Sequence, residues 1–285
     1  MPVVISLINL KGGVGKTTLT VALAEFMVVL HGLKVLVIDL DPQTNATVAL
    51  IDENEWRRRN IRGQTILSAF TDRFNKYRVF SPDEAIVKNV SNVGGGIEGL
   101  DLLPSSIDLI EFQDDFVSEP GRFRGDLQAV LRDEMQDTLK EYDVVLIDCP
   151  PDLGFITRNG ILISDYYLIP VIPDVLSTYG IPQIINRINR LKKQAGIRIR
   201  PLGLVVNKFR VQASVHRNQL RVLKANAARV GYQRVFASVI SENGQVAAVM
   251  DSSLSFPSLQ KKYGYNRPYE EYKQLTQEVL AYVRR

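Results

Sequence analysis

The chain is expected to fold as an α/β protein, with a doubly wound, mostly parallel sheet flanked by helices. Three observations predict this. Short apolar runs recur with helical stretches between them, two of those runs end in carboxylates, and the first opens on a glycine-rich loop that leads straight into a helix. Strands of a parallel sheet are covered on both faces and so read as unbroken apolar runs, and each needs a crossover before the next.

Val3-Val4-Ile5-Ser6-Leu7-Ile8 is the first strand, and residues 16 to 30, rich in helix formers, are the first helix. Further strands are expected near 34–39, 100–103, 143–148, 166–171, 202–206 and 234–237, and helices over 105–116, 124–141, 179–195, 214–230 and 268–284. Residues 54–77, with Trp56 and the run Arg57-Arg58-Arg59, show no clear period, and Gly94-Gly95-Gly96 marks a turn rather than a linker. With 285 residues, 45% of them hydrophobic, the simplest reading is a single domain over 1–285. No run of 18 apolar residues and no signal peptide is visible, which predicts a cytoplasmic protein. One cysteine, Cys149, excludes an internal disulfide framework, and His31 and His216 alone make no zinc site.

Lys11-Gly12-Gly13-Val14-Gly15-Lys16-Thr17-Thr18 fits the phosphate-loop pattern in a deviant form that carries a second lysine at its start. The glycines let successive backbone N–H groups turn toward phosphate oxygens at the positive end of a helix. In that pattern Lys16 reaches the β- and γ-phosphates, the Thr17 hydroxyl ligates Mg²⁺, and Thr18 adds a donor near the α-phosphate, which makes a nucleoside triphosphate and Mg²⁺ the expected ligands. Lys11 lies too far back to wrap round its own γ-phosphate. A facing subunit could use it as a charge-neutralising cation, the part that arginine fingers fill elsewhere; the alternative is a solvated loop lysine.

The run Val35-Leu36-Val37-Ile38 ends in Asp39-Leu40-Asp41, placing two carboxylates where a parallel sheet gathers its ligands. Asp41 is read as orienting an attacking water, and Asp39 as supporting the metal shell or the phosphate loop; both could instead be strand-end caps. A third run, Val144-Val145-Leu146-Ile147, ends in Asp148, a Walker B pattern whose carboxylate binds Mg²⁺ largely through water. The run from Leu202 to Val206 ends in Asn207, whose amide offers both a donor and an acceptor to an adenine edge, or is an ordinary turn residue.

The net charge of +4 conceals an asymmetry. Residues 1–150 hold 15 basic and 23 acidic residues, whereas 151–285 hold 20 and 8. From Val175 to Ser241 there are 13 Lys and Arg and no Asp or Glu, a pattern that points to a polyanion, most simply a DNA backbone, since a solvated surface normally mixes both signs. Within it Arg217, Arg221 and Lys224 recur at helical spacing opposite Val215, Leu220 and Leu223, and are the first choice for contacting phosphates; the alternative is a solvated outer face.

KGGVGKTT at 11–18, IDLDPQTNAT at 38–47 and YDVVLIDCPP at 142–151 together resemble the ParA/MinD group of deviant Walker A ATPases, most closely its small ParA (Soj-like) branch. The resemblance implies an ATP-sandwich homodimer in which Lys11 crosses to the partner's ATP, Asp41 serves hydrolysis, and nonspecific DNA is bound in the ATP state. It further implies slow ATP hydrolysis stimulated by a ParB-like or adaptor protein, and a part in segregating plasmids or chromosomes, or in spacing cargoes such as carboxysomes, over the nucleoid. Thr44 departs from the family pattern by standing where relatives commonly have Gly, and residues 240–244 depart from an I-P-R pattern, so no adenine contact is read from them. The first strand begins at Val3, and the helix-turn-helix arm of larger plasmid ParA proteins is expected to be absent.

Two rival readings remain from the sequence. A MinD-like membrane ATPase would use the amphipathic last helix, with Tyr272, Leu275, Val279, Leu280 and Val283, although its polar face carries Glu270, Glu271 and Glu278 and would attract anionic lipid poorly. A tyrosine kinase would use Tyr263, Tyr265, Tyr269 and Tyr272.

Overall fold

A computed structural model describes residues 1–73, 78–118, 127–244 and 249–283. Its centre is a seven-stranded sheet, parallel throughout, in the order β3-β2-β4-β1-β5-β6-β7. The strands are β1 (Val3–Leu7), β2 (Val35–Asp39), β3 (Leu100–Leu103), β4 (Val144–Asp148), β5 (Tyr166–Val171), β6 (Arg200–Phe209) and β7 (Val235–Ser241). All seven fall where the apolar runs predict them, β6 starting two residues earlier and running three further, and β7 running four further. The order reverses beside β1, and a crevice opens at such a switch point, at the carboxyl ends of the strands.

The core divides into two apolar layers, one on each face of the sheet. Helix α1 (Lys16–His31) is buried along most of its length because it packs on the sheet with one side and on the final helix with the other; Phe26 lies 5.2 Å from the ring of Tyr263 and 6.1 Å from that of Tyr272. Two short helices follow β2: α2 (Asn45–Leu50), and α3 (Glu53–Ile61) in the stretch that has no readable period. None of the side chains of α3 is buried. It is held instead by its Asp52 cap, by Arg57–Glu53 and Arg59–Glu55 pairs one turn apart, and by the Trp56 indole N–H, which donates to the Ser105 carbonyl at 3.0 Å. Helices α4 (Ile66–Thr71), α5 (Pro82–Ala85), α6 (Leu109–Ser118) and α7 (Val130–Leu139) follow. Residues 124–126 of the helix expected over 124–141, and 74–77 of the unreadable stretch, lie outside the described residues.

Helix α8 (Phe155–Ile163) lies so close to the sheet that a side chain at Gly160 would meet Leu40 at 2.9 Å. Helix α9 (Val175–Ala195) starts four residues earlier than the sequence suggests. The Asp174 carboxylate caps the added first turn by accepting from the Ser177 N–H at 2.6 Å, and Pro182 lies inside the helix. Helix α10 (Ser214–Val230) spans the expected residues.

Helices α11 (Leu259–Tyr263) and α12 (Arg267–Val283) close the fold. The apolar stripe of α12 is buried, as a packing face should be. Its acidic side is not simply solvated: Glu278 accepts from the Ala237 and Ser238 N–H groups, and Glu271 from the Ser241 N–H, along the open edge of β7. Those carboxylates satisfy edge groups that would otherwise be free to pair with another strand. Tyr263 and Tyr272 are buried, which removes two of the four tyrosines from the kinase reading. Among the described residues no helix is long and apolar enough to cross a membrane.

One buried ion pair ties the closing segment to the phosphate-loop helix. Glu25 of α1 and Lys262 of α11 meet at 2.6 Å with both side chains fully removed from solvent, and Ser91 and Tyr263 donate to the same carboxylate at 2.6 and 2.7 Å. Glu25→Ala is expected to cost about 3–5 kcal/mol in urea unfolding, because it strands the Lys262 charge in the core, whereas the double replacement Glu25→Leu with Lys262→Met should recover most of that loss.

Candidate functional site

The loop between β1 and α1 ends at Gly15, which caps α1 in a left-handed conformation (φ 86°) that glycine adopts without steric cost. A side chain there would collide with the Asn207 amide. Asn207, at the carboxyl end of β6, is buried; its Nδ2 donates to the Val14 carbonyl at 2.8 Å and its Oδ1 accepts from the Lys208 N–H at 2.9 Å. The sequence reading gives this amide to an adenine edge. In the structure one hydrogen is committed to bracing the phosphate loop and one lone pair to the Lys208 N–H, with the remainder bordering the cleft.

Gly12, Gly13, Gly15, Lys16, Thr17 and Thr18 line a cleft of about 380 Å³ together with Asp41, Gln43, Asn45, Pro151 and Lys208. Val14 is wholly buried and sets the loop into the core. A second cleft, of about 630 Å³, adjoins the first through Thr18, Lys208 and Met250 and runs to Ser241, Glu242, Asn243 and Gly244. The two are suited to phosphates and base respectively, which puts residues 241–244, from which the sequence yields no contact, on the wall of the second.

Asp39 and Asp148 stand opposite each other in the register of β2 and β4, and both are fully buried. Asp39, expected to support the metal shell or the phosphate loop, turns both oxygens to the 41–47 segment: one accepts from the Asp41 N–H at 3.0 Å, and the other from the N–H and hydroxyl of Thr47 at 2.8 and 2.7 Å. It thereby fixes the 41–47 loop. Burial first, and the Asp148 charge second, raise its carboxyl well above the ordinary range.

Asp148 differs in one respect. Its Oδ1 accepts from the Thr20 hydroxyl at 3.2 Å, while Oδ2 is buried without a hydrogen-bond partner. An orphaned carboxylate oxygen beside Lys16 and Thr17 fits a hydrated magnesium ion, and among the described residues no cluster of three or more carboxylates, histidines or cysteines offers a protein-only cage. Thr17 and Asp148 would hold the ion, which would neutralise charge on the nucleotide phosphates. Burial pushes the Asp148 carboxyl up to about 7, against the lowering effects of the Thr17 hydroxyl and the Lys16 ammonium. Thr20 and Thr47 are supporting residues that sequence reasoning misses; each lies one helical turn from a loop and reads there as an ordinary helix position.

Asp41 faces the phosphate cleft. Its Oδ1 is fixed by the Gln43 N–H at 3.0 Å, and burial raises its carboxyl despite that bond and the nearby Lys16. Thr44, where the family pattern has Gly, adopts φ 54°, a left-handed conformation that explains why glycine is common there. Lys11 stands at the rim. Its ammonium donates to Asp174 Oδ2 and to Ser177 Oγ, both at 3.0 Å, and holds the Asp174 carboxyl low, against burial and together with the Ser177 bonds. Neither partner is legible as such in the sequence.

A strand, a phosphate loop braced from the sheet, a buried Walker B carboxylate and an adjoining base cleft define a P-loop ATPase. A model of the AAA_31 family, described as an AAA domain, matches residues 3–200, and the chain belongs to that family as a ParA-type P-loop ATPase. It is 28% identical over 284 residues to the chromosome-partitioning ATPase Soj of Thermus thermophilus, covering 98% of this chain and 96% of that one. A cobyrinic acid a,c-diamide synthase from Mycobacterium smegmatis, solved with bound ADP and magnesium, is 26% identical with a TM-score of 0.66, covering 89% and 92% of the two chains. A plasmid partition protein from Borrelia burgdorferi shares the fold, with a TM-score of 0.71 at 22% identity and coverage of 99% of each. The chain is an ATPase whose ligands are ATP and magnesium.

Because the raised Asp148 carboxyl is protonated in the folded protein between an ordinary value near 4 and about 7, the ligand-free protein should lose stability as pH rises through that window. Magnesium-nucleotide binding needs the ionised form and should strengthen over the same window with proton release. Calorimetry in buffers of different ionisation enthalpy should show that release at about pH 6 and little of it at about pH 8 in the wild type, with the pH 6 release missing in Asp148→Asn.

Proposed function

We propose that this ATPase is a dimerising switch: two subunits close over ATP, Lys11 of each crosses to the other's nucleotide, and the paired basic faces hold nonspecific DNA. In this reading residues 1–285 act as one unit in the cytoplasm, on the nucleoid, and a ParB-like or adaptor protein stimulates hydrolysis to position a plasmid, a chromosome or a protein organelle such as the carboxysome. The observation that carries it is the placement of Lys11. Its ammonium is tied to the first turn of α9, the helix that opens the stretch without acidic residues, so the nucleotide rim and the basic face share one anchor.

The rim has the surface a facing subunit would need. Leu176 and Tyr179 are 77% and 74% exposed beside that anchor, an apolar patch that a lone chain leaves in water. For DNA, Arg217, Arg221 and Lys224 are all exposed on α10, with Leu223 buried beneath them. Val215, expected on the packed side, is exposed as well, so the apolar side of this helix is narrower than its spacing suggests. The membrane reading draws less support, because the apolar stripe of α12 is consumed by the core.

Asp41 has the character of a residue that orients water. It is held by one backbone bond, faces the phosphate cleft, and is made more basic by burial. Asp41→Ala should bind ATP and pair normally yet hydrolyse it about 10²- to 10⁴-fold more slowly. Lys11→Gln should lose about 10³- to 10⁵-fold and also weaken the ATP-dependent dimer. Single-turnover hydrolysis with sedimentation would test both, and wild-type turnover by the Lys11 variant would rule out the trans role.

DNA binding should require ATP, show little sequence preference, and fall by about 10³ to 10⁵ in affinity between about 50 and about 200 mM salt if the dimer makes roughly 6–10 phosphate contacts. Charge reversal at Arg217, Arg221 and Lys224 should weaken it while leaving ATP binding intact. Titrations with ATP, with ADP and without nucleotide are decisive; equal, salt-insensitive affinity in all three would remove DNA as the partner.

A further inference from the structure

The pairing of β6 with β7 slips beside the nucleotide cleft. Val206 stands opposite Val239 and Phe209 opposite Ser241, so three steps along β6 match two along β7, and the extra residue falls at Asn207–Lys208. Extra residues of this kind re-aim side chains and recur next to active sites. Here the two aims differ: Asn207 turns to the phosphate loop, and Lys208 lines both the phosphate cleft and the base cleft.

The backbone at Lys208 is the second observation. Its φ is 52°, in the left-handed region where a lysine is uncommon and glycine or asparagine is the ordinary choice. Asn89 and Asn266 occupy comparable conformations elsewhere and suit them by residue type; Gln233, in the turn before β7, does not, and neither do Thr44 and Lys208, the two that flank the cleft. Such conformations persist at functional sites, where the side chain gained offsets the strain. Folding alone has no evident use for this side chain. Among the described residues no carboxylate lies within ion-pair distance of it, and Glu242, which feels its charge, is already forked by Arg210.

We infer that Lys208 is a nucleotide-binding residue, its ammonium contacting the phosphate chain where the two clefts join, beside Thr18. It would be a second cis cation, on the side of the nucleotide away from Asp41. The bulge supplies its direction and the strained backbone keeps it there. The inference rests on the ATP site described above and adds to it a contact that the phosphate-loop pattern does not contain.

The test compares ATP, ADP and adenosine by calorimetry at fixed magnesium for the wild type and for Lys208→Met, Lys208→Arg and Lys208→Gly. Lys208→Met keeps the stem and loses the charge; it should bind ATP and ADP about tenfold more weakly, the scale of one charged hydrogen bond, with adenosine unchanged. Lys208→Arg should stay near the wild type. Lys208→Gly should melt at a higher temperature than the wild type, because the strain is gone, and yet bind ATP and ADP as poorly as Lys208→Met. Wild-type affinity for ATP and ADP in Lys208→Met, or an equal loss for adenosine, would overturn the phosphate contact. Lys16→Ala separates this from the site itself: retained ATP affinity there would indict the phosphate-loop reading, whatever Lys208 does.

Discussion

Two carboxylates buried side by side, Asp39 and Asp148, are the constraint around which the site is arranged. Parallel pairing of β2 with β4 brings them into register at the end of the sheet, where neither reaches water. Burying two like charges together is costly unless donors or cations answer them. The structure answers them unequally. Asp39 receives three donors from Asp41 and Thr47 and becomes the post on which that loop hangs. Asp148 receives Thr20 on one oxygen and keeps the other without a partner. One strand end therefore shapes the loop that carries Asp41, and the neighbouring one retains binding capacity for a cation.

The phosphate loop depends on support from an unexpected direction. Glycine gives it the left-handed turn at Gly15, but what holds that turn is an amide arriving from β6, on the far side of β5. The same irregular pairing that delivers Asn207 delivers Lys208, so a single extra residue in one strand both braces the loop and lines the space beside it. Loop and sheet edge are thus one mechanical unit, and a disturbance at either would be felt at the other.

At the rim, Lys11 connects the nucleotide cleft to α9 through Asp174, which at the same moment caps that helix. A lysine drawn away toward another molecule would leave the cap without its cation. The helix so affected opens the segment where the chain concentrates its unmatched positive charge. Far from this rim, the buried Glu25–Lys262 pair anchors the closing helices to α1 and gives the phosphate-loop helix a fixed backing.

The sequence by itself determined the strands, most of the helices, and the identity of the phosphate loop and of Asp148. Those rest on local pattern: apolar runs of strand length, glycines at fixed offsets, and a carboxylate at the end of a buried run. Sequence also located the basic half, because charge along a chain needs no fold to be counted. Only the tertiary structure decided what the polar side chains do. Asp39 and Asp41 are equivalent in spacing, and they part company because Thr47 turns back onto one of them. Asn207, expected at a base edge, also gives its amide to Val14 while lining the base cleft, and α3, polar on every side, is held by contacts that no periodicity records. Hydrogen-bond partners across the sheet lie more than a hundred residues apart in the chain, as Asn207 and Val14 do. Spacing along the sequence carries the first kind of information, and closeness in space, which the parallel crossovers create, carries the second.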